Sequence, residues 1–275
     1  MSTTGNLEKA DFERERKTLL VSLHAKALDC AAAKPVLGDR SAAAAAQRLD
    51  YDYAQLRVRT DDAIAMVIRA KQLDDWTAQF LAAHPAATVL HLGCGLDRRC
   101  DRVERPGTPT WFDVDFPDVV ALAQRLYPAA EGQRYVGADV TDGDWLDAIP
   151  ASGEVIVVAE GLTMLLTEAE MRALVERIGR KFGHGEYIFD VYNTIAIRSM
   201  NRHQTIQATG AELCWGVDDI NDVTAWAPGL RLEQEWFIVG SPYVGRMPFT
   251  SILISRLMHL SPKLRRFSRL VRISF

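Results

Sequence analysis

The sequence predicts an α/β fold, a Rossmann-like and mostly parallel sheet with helices on both faces, preceded by a helical N-terminal cap. Three observations carry this. Short apolar runs bounded by turn residues recur over 88–92, 110–115, 134–138, 154–159 and 185–191, as buried strands require. Helical patterns alternate with them, an order that implies parallel strands joined by crossovers. The first run, within TVLHLGCGLDRR at 88–99, stops at Gly93-Cys94-Gly95, a bend suited to the first turn of a nucleotide-binding α/β unit.

Residues 14–30 place Leu19, Leu20, Leu23, Ala27 and Leu28 at helical spacing beside a charged face, so this helix has a side to bury. Asp39 or Ser41 can cap a second helix through the alanines at 42–46. A third helix fits 61–83, with Ile64, Val67, Ile68, Leu73, Trp76, Phe80 and Leu81 as its apolar set, and stops near His84-Pro85. After the second strand a helix is expected over 119–126. A stronger one follows over 168–182, opened by a capping box of Thr167 and Glu170. Residues 193–228 break the rhythm and read as an insertion over the pocket, with two further strands expected near 230–239 and 249–256. The basic tail from Ser261-Pro262 sets Leu260, Leu264, Phe267 and Val271 on one helical face. It reads as a terminal helix docked on its own domain rather than on a membrane surface.

Composition narrows the function. The 275 residues, 48% of them hydrophobic, suffice for one sizeable core, and a single domain over 1–275 is expected, with the cap at 1–87 and the sheet from 88 onward. A net charge of −4 gives no electrostatic reason to expect nucleic acid. No apolar run reaches membrane-spanning length and residues 1–16 do not read as a signal peptide, so a cytoplasmic location is expected. Cys30, Cys94, Cys100 and Cys214 lack CxxC pairing and no zinc-ligand spacing is present, so no metal is expected. A P-loop lysine, GxSxG and HExxH are likewise missing.

A GxG turn is weak evidence alone. It gains weight from TWFDVDFP at 110–117, where Asp115 ends the second strand about twenty residues beyond Gly95, the place of a ribose-binding carboxylate. Asp113 is its rival and is expected to point away from the ligand. The third glycine of GxGxxG is absent, which argues against a dinucleotide and so against an NAD-dependent oxidoreductase.

HLGCGLDRR at 91–99, WFDVDFPDVVAL at 111–122, ADVTD at 138–142 and VAEGLTMLL at 158–166, in that order, resemble the leucine carboxyl methyltransferase superfamily. The likeness is closest to its bacterial branch of small-molecule O-methyltransferases linked to polyketide and other secondary metabolism. It runs from about Lys17 to the basic tail. The resemblance implies S-adenosylmethionine as methyl donor, S-adenosylhomocysteine as product, and a small organic acceptor methylated on a hydroxyl or carboxyl. It assigns Arg69, and less directly Lys26, to the donor's carboxylate, for which an arginine fork is well shaped. Gly93 and Gly95 would lie beneath the methionine portion, Asp115 on the ribose, Asp139 and Val140 at the adenine edge, and Glu160 toward the donor's amino group.

Two positions depart from the pattern. His91 stands where many class I methyltransferases carry an acid, and Leu165 where the related pattern often has tyrosine. Leu165 keeps open a protein that binds the donor but has lost or changed methyl transfer. Protein carboxyl methylation is the superfamily's other activity. For a hydroxyl acceptor a general base would help, and His203 in the insertion is the candidate; Tyr192, Asn193 and Trp215 are candidates for the acceptor pocket.

Overall fold

The computed structural model describes residues 7–151 and 153–275, so the expectation for the first six residues lies outside the described residues. In chain order the elements are β1 (Glu8–Lys9), α1 (Arg14–Cys30), α2 (Arg40–Arg48), β2 (Leu49–Asp50), α3 (Thr60–Ala83), β3 (Thr88–Leu92), β4 (Thr110–Asp115), α4 (Pro117–Leu126) and β5 (Gln133–Gly137). They continue with β6 (Val155–Ala159), α5 (Glu168–Phe182), β7 (Glu186–Tyr192), α6 (Thr194–Met200), α7 (Gln204–Thr209), α8 (Ile220–Thr224), β8 (Arg231–Phe237), α9 (Phe249–Leu260) and β9 (Ser268–Ser274).

Seven strands form one sheet in the order β5-β4-β3-β6-β7-β9-β8. The first five run parallel, while β9 is antiparallel to both β7 and β8. The chain builds outward from β3 to β5 and then crosses back to β6, so the order reverses between β3 and β6. A crevice opens at the carboxyl ends of strands on either side of such a reversal.

Alternation divides the strand side chains between two layers. Val89, Trp111, Ile156, Val158 and Ile188 face α3, where Leu73, Trp76, Phe80 and Leu81 meet them. Leu90, Phe112, Val114, Val157, Phe189 and Val271 face α5, which supplies Met171, Leu174, Val175 and Ile178. Helix α5 opens with Thr167 and Glu170 in a reciprocal cap, and the side chain of Asp39 accepts from Ala42 N at 2.8 Å to open α2. Helices α1 and α2 pack with α4 through Leu20, Leu23, Ala42, Leu122 and Leu126, covering the β3–β4–β5 end.

Two expectations fail. The tail is not a helix: Ser268–Ser274 is strand β9, between β7 and β8. Leu270 faces one layer and Val271 and Ile273 the other, so both sides are apolar and the helical spacing of Leu264, Phe267 and Val271 is coincidental. Insertion costs one cation its water and partly covers a second. Arg269 is fully buried on Glu235 at 2.7 Å, and Arg272 grips Glu186 with two bonds of 2.7 and 2.8 Å. The expected strand near 249–256 is instead α9, a twelve-residue helix between Pro248 and Ser261 that satisfies its own backbone without a neighbouring strand.

Candidate active site

At the carboxyl ends of β3, β4 and β6 lies a cavity of about 360 Å³, large enough for a small ligand. Its floor is the turn after β3. Gly93 and Gly95 have φ of 59° and 55°, a left-handed backbone that glycine adopts without penalty. A Cβ on Gly95 would stand 3.1 Å from Leu19 Cβ on α1, and one on Gly93 3.1 Å from Leu162. Leu19 and Leu162 are themselves cavity walls, so the missing side chains let α1 and the segment after β6 close onto the turn.

Asp115 ends β4 at this turn. Its two carboxylate oxygens accept from Gly95 N and Phe116 N, both at 2.7 Å, which fixes the side chain and leaves one lone pair on each oxygen. Burial pushes its carboxyl up, and the two backbone N–H groups pull it back. Asp113 shares this face, because residues two apart on a strand do; the expectation that it points away is corrected. What separates the two acids is depth. Asp113 sits one register lower, bonded to His91 Nδ1 at 2.8 Å and Trp111 Nε1 at 2.9 Å. Beyond β5, Asp139 Oδ1 accepts from Thr141 N and Oγ1, and Asp139 and Val140 both line the cavity.

The opposite wall is a buried ion network. Lys26 on α1, only 2% exposed, reaches Asp97 at 2.8 Å and Glu160 at 3.7 Å. Arg69 on α3 holds Glu160 at 3.1 Å and Asp190 on β7 at 2.9 Å, and also donates to Tyr192 Oη. Arg99, fully buried, joins Asp74, Asp97 and Glu160, while Arg102 joins Asp39, Asp74 and Asp97. Burial alone would raise the Glu160 carboxyl, but Lys26, Arg69 and Arg99 outweigh it and bring the group down to about 2. The same contest holds Asp97 well below the ordinary carboxylate range. Helices α1 and α3 are thereby pinned to the ends of β3 and β6 by charge.

The remaining wall is apolar: Met66, Met164, Leu165, Met200, Ile206 and Leu213. Met200 and Ile206 come from α6 and α7, so part of the expected insertion does border the cavity. The structure brings Lys26, Arg69, Gly93, Gly95, Asp115, Asp139, Val140, Glu160, Leu165 and Tyr192 together around one space. It does not bring His203, Asn193 or Trp215 there. His203 caps α7, accepting from Thr205 N, with Nε2 3.6 Å from Asp62; Asn193 caps α6; Trp215 stacks on Trp226 beside the core. The general-base expectation for His203 therefore loses its geometry, and Asn193 and Trp215 act in capping and packing. Sequence reasoning missed Asp97, Arg99, Arg102 and Asp190. The available signal was a run of charges, LDRRCDR, directly after a glycine turn, and a lone acid inside the apolar strand YIFDVY.

The lining fits an adenosyl amino acid. Two carboxylates with spare acceptor positions stand at adjacent strand ends, and a paired set of cations and anions stands opposite, suited to a zwitterion. Where a dinucleotide fingerprint would place its third glycine stands Arg98, its side chain 2% exposed and its guanidinium over the Tyr127 ring.

Known proteins resemble this chain in sequence and in fold. The family model "Leucine carboxyl methyltransferase" matches residues 9–179. The chain is 40% identical over 259 residues, 94% of this chain and 96% of the relative, to the tetracenomycin polyketide synthesis O-methyltransferase TcmP of Streptomyces glaucescens. It is 31% identical, over 84% of this chain and 85% of the other, to the S-adenosyl-L-methionine-dependent methyltransferase dpfgK of Gibberella zeae. Among solved structures, a DUF574 family protein from Streptomyces avermitilis superposes with a TM-score of 0.56 at 12% identity, covering 92% of this chain and 96% of that one. Magnesium protoporphyrin IX methyltransferase from Synechocystis, with bound S-adenosylhomocysteine, gives 0.50 at 12% identity, covering 81% and 93%. The nicotinamide reading and the reading as a mere donor-binding protein are not favoured. The chain belongs to the leucine carboxyl methyltransferase family of S-adenosylmethionine-dependent methyltransferases.

Proposed function

We propose that this chain, folded as a single methyltransferase domain, transfers a methyl group to a hydroxyl or carboxyl oxygen of a small, largely apolar acceptor of polyketide type. The observation that carries the proposal is the division of one cavity into a wall of paired charges and a wall of methionine, leucine and isoleucine. The 40% identity to a polyketide O-methyltransferase supports the acceptor class. In this reading Asp115 accepts the ribose hydroxyls, Asp139 and Val140 border the adenine, and Lys26, Arg69 and Glu160 receive the amino-acid end. S-adenosylmethionine, when bound, supplies an electrophilic methyl carbon. Glu160 and Asp97, held ionised, give that end of the cavity carboxylates that favour a nearby cation.

The apolar wall from Met164, Leu165, Met200 and Leu213 would orient the acceptor and keep water out, and holding nucleophile and methyl in line can supply most of the acceleration. A carboxylate acceptor would need no base. Segment 193–228 acts in this proposal as a lid through α6 and α7. Four free thiols suit the reducing cytoplasm proposed as its location. Titration calorimetry with S-adenosylhomocysteine, followed by radiolabelled methyl transfer to a panel of phenols and aromatic acids, tests the reading. Heat with the nucleoside and label on an aromatic acceptor is the expected result; no heat at saturating protein would overturn it.

A further inference from the structure

Helix α9 is mounted with its polar side inward. Ser255 is buried, and Ser251 Oγ donates to Asp61 Oδ2 at 3.0 Å at the start of α3. The opposite side carries Phe249, Leu253, Ile254, Leu257 and Leu260 into solvent, with Phe249 80% and Leu260 79% exposed, and Leu264 extends the stripe. An exposed apolar ridge of this size contributes nothing to its own fold and marks a surface that something covers. Charge indicates what. From Trp236 to Phe275 there are seven Arg and Lys residues and no Asp or Glu, in a chain of net charge −4. Arg269 and Arg272 are used inside the sheet, but among the described residues Arg256, Lys263, Arg265 and Arg266 make no ion pair.

We propose that α9 and the turn after it form a peripheral docking surface for an anionic phospholipid bilayer, with the Phe/Leu/Ile ridge in the interface and the unpaired cations at the headgroups. A convex aliphatic ridge flanked by cations is what such binding requires. A second copy fits poorly, because pairing α9 with itself would bring both sets of cations together with no carboxylate in the segment to receive them. An acidic protein partner fits less well than lipid, because the exposed face presents five large apolar side chains against few polar ones, Thr250 and Arg256 among them, whereas protein interfaces carry about one hydrogen bond per 100–200 Å². The surface also lies close to the proposed acceptor end. Asp61 anchors α9, its neighbour Asp62 faces His203 on the cap of α7, and Ile206 of α7 lines the cavity. The inference stands independently of the acceptor's identity.

The test is flotation of the full chain with 100 nm vesicles of equimolar phosphatidylglycerol and phosphatidylcholine, or of phosphatidylcholine alone, at low and high salt. The expected result is partition at least tenfold stronger onto the anionic vesicles, a loss at high salt, and a tenfold or greater loss in the double variant Leu253→Glu/Leu257→Glu. Lys263→Glu should give a smaller loss. None of these residues lines the cavity, so thermal stabilisation by S-adenosylhomocysteine reports that the variants remain folded. Equal partition onto both vesicles, or onto neither, overturns the proposal. So does a mass of twice the chain in light scattering that the double variant returns to one.

Discussion

At Glu160 three cations converge from three different elements, and the consequences are measurable one residue at a time. Its carboxyl lies at about 2 against an ordinary 4.5, a depression, so its stabilising contribution is complete above about 4.5 and is lost as pH falls toward 2. Asp190 and Asp74, which burial raises, act in the opposite sense above the ordinary aspartate value, so the wild-type profile alone mixes the two. Glu160→Gln separates them: the slope of melting temperature against pH between 4.5 and 2 should be shallower in the variant than in the wild type. Arg69→Ala is expected to behave as a folding mutation. It leaves Glu160 and Asp190 without the guanidinium that both share, and breaking a buried pair costs about 3–5 kcal/mol, to be read by urea denaturation. Asp115→Ala removes a side chain whose protein partners are two backbone N–H groups, Gly95 in the turn after β3 and the adjacent Phe116. It should weaken S-adenosylhomocysteine in calorimetry by roughly 1.5–3 kcal/mol, the worth of a charge-assisted hydrogen bond.

Elements were legible where one periodicity had no competitor. The strands at 88–92 and 110–115 stand where short apolar runs end at Gly93 and Asp115, and the helices at 14–30 and 168–182 stand where one side is apolar, the second of them stopped by Gly183. Strand β9 was misread because a strand covered on both faces has no alternation to show, and Leu264, Phe267 and Val271 happen to fall at helical spacing. Helix α9 was misread for the reverse reason. Its apolar residues point outward, so the usual rule that the apolar side faces the core gives no guidance. In the site, Arg69 and Glu160 were reached through motif likeness, whereas Arg99, Arg102 and Asp190 were not. An ion pair between residues 61 or 91 positions apart leaves no periodic trace in the sequence. The glycine turn offers a test at this scale. Gly95→Ala must hold φ near 55° and place a Cβ 3.1 Å from Leu19, so a loss of at least about 1–2 kcal/mol in denaturation is expected, with α1 pushed off the turn.

Across the whole molecule, the cap and the sheet meet at the cavity through buried charge, and away from it through contacts nearer the surface such as Arg16 on Asp118 and Arg48 on the carbonyls of Arg125 and Leu126. Lys26 of α1 and Arg69 of α3 are buried against acids contributed by the turn after β3, by the end of β6 and by β7. Like-for-like burial of so many charges is a weak source of stability, since desolvation offsets most of the attraction, but it does specify one arrangement of cap on sheet. A ligand that spans both halves, touching Asp115 on one side and α1 and α3 on the other, adds what the network alone lacks. Binding to the native state only, at a hundredfold excess over its Kd, stabilises by about 2.7 kcal/mol, which for a domain of this size is on the order of 5 °C in melting temperature. S-adenosylhomocysteine should produce that shift, and removing it by dialysis should reverse it. Because the stabilisation would be transmitted across the cap–sheet junction, hydrogen exchange should slow in α1 and α3 as well as in the turn after β3. Protection confined to the turn would show that the cap does not close on the ligand.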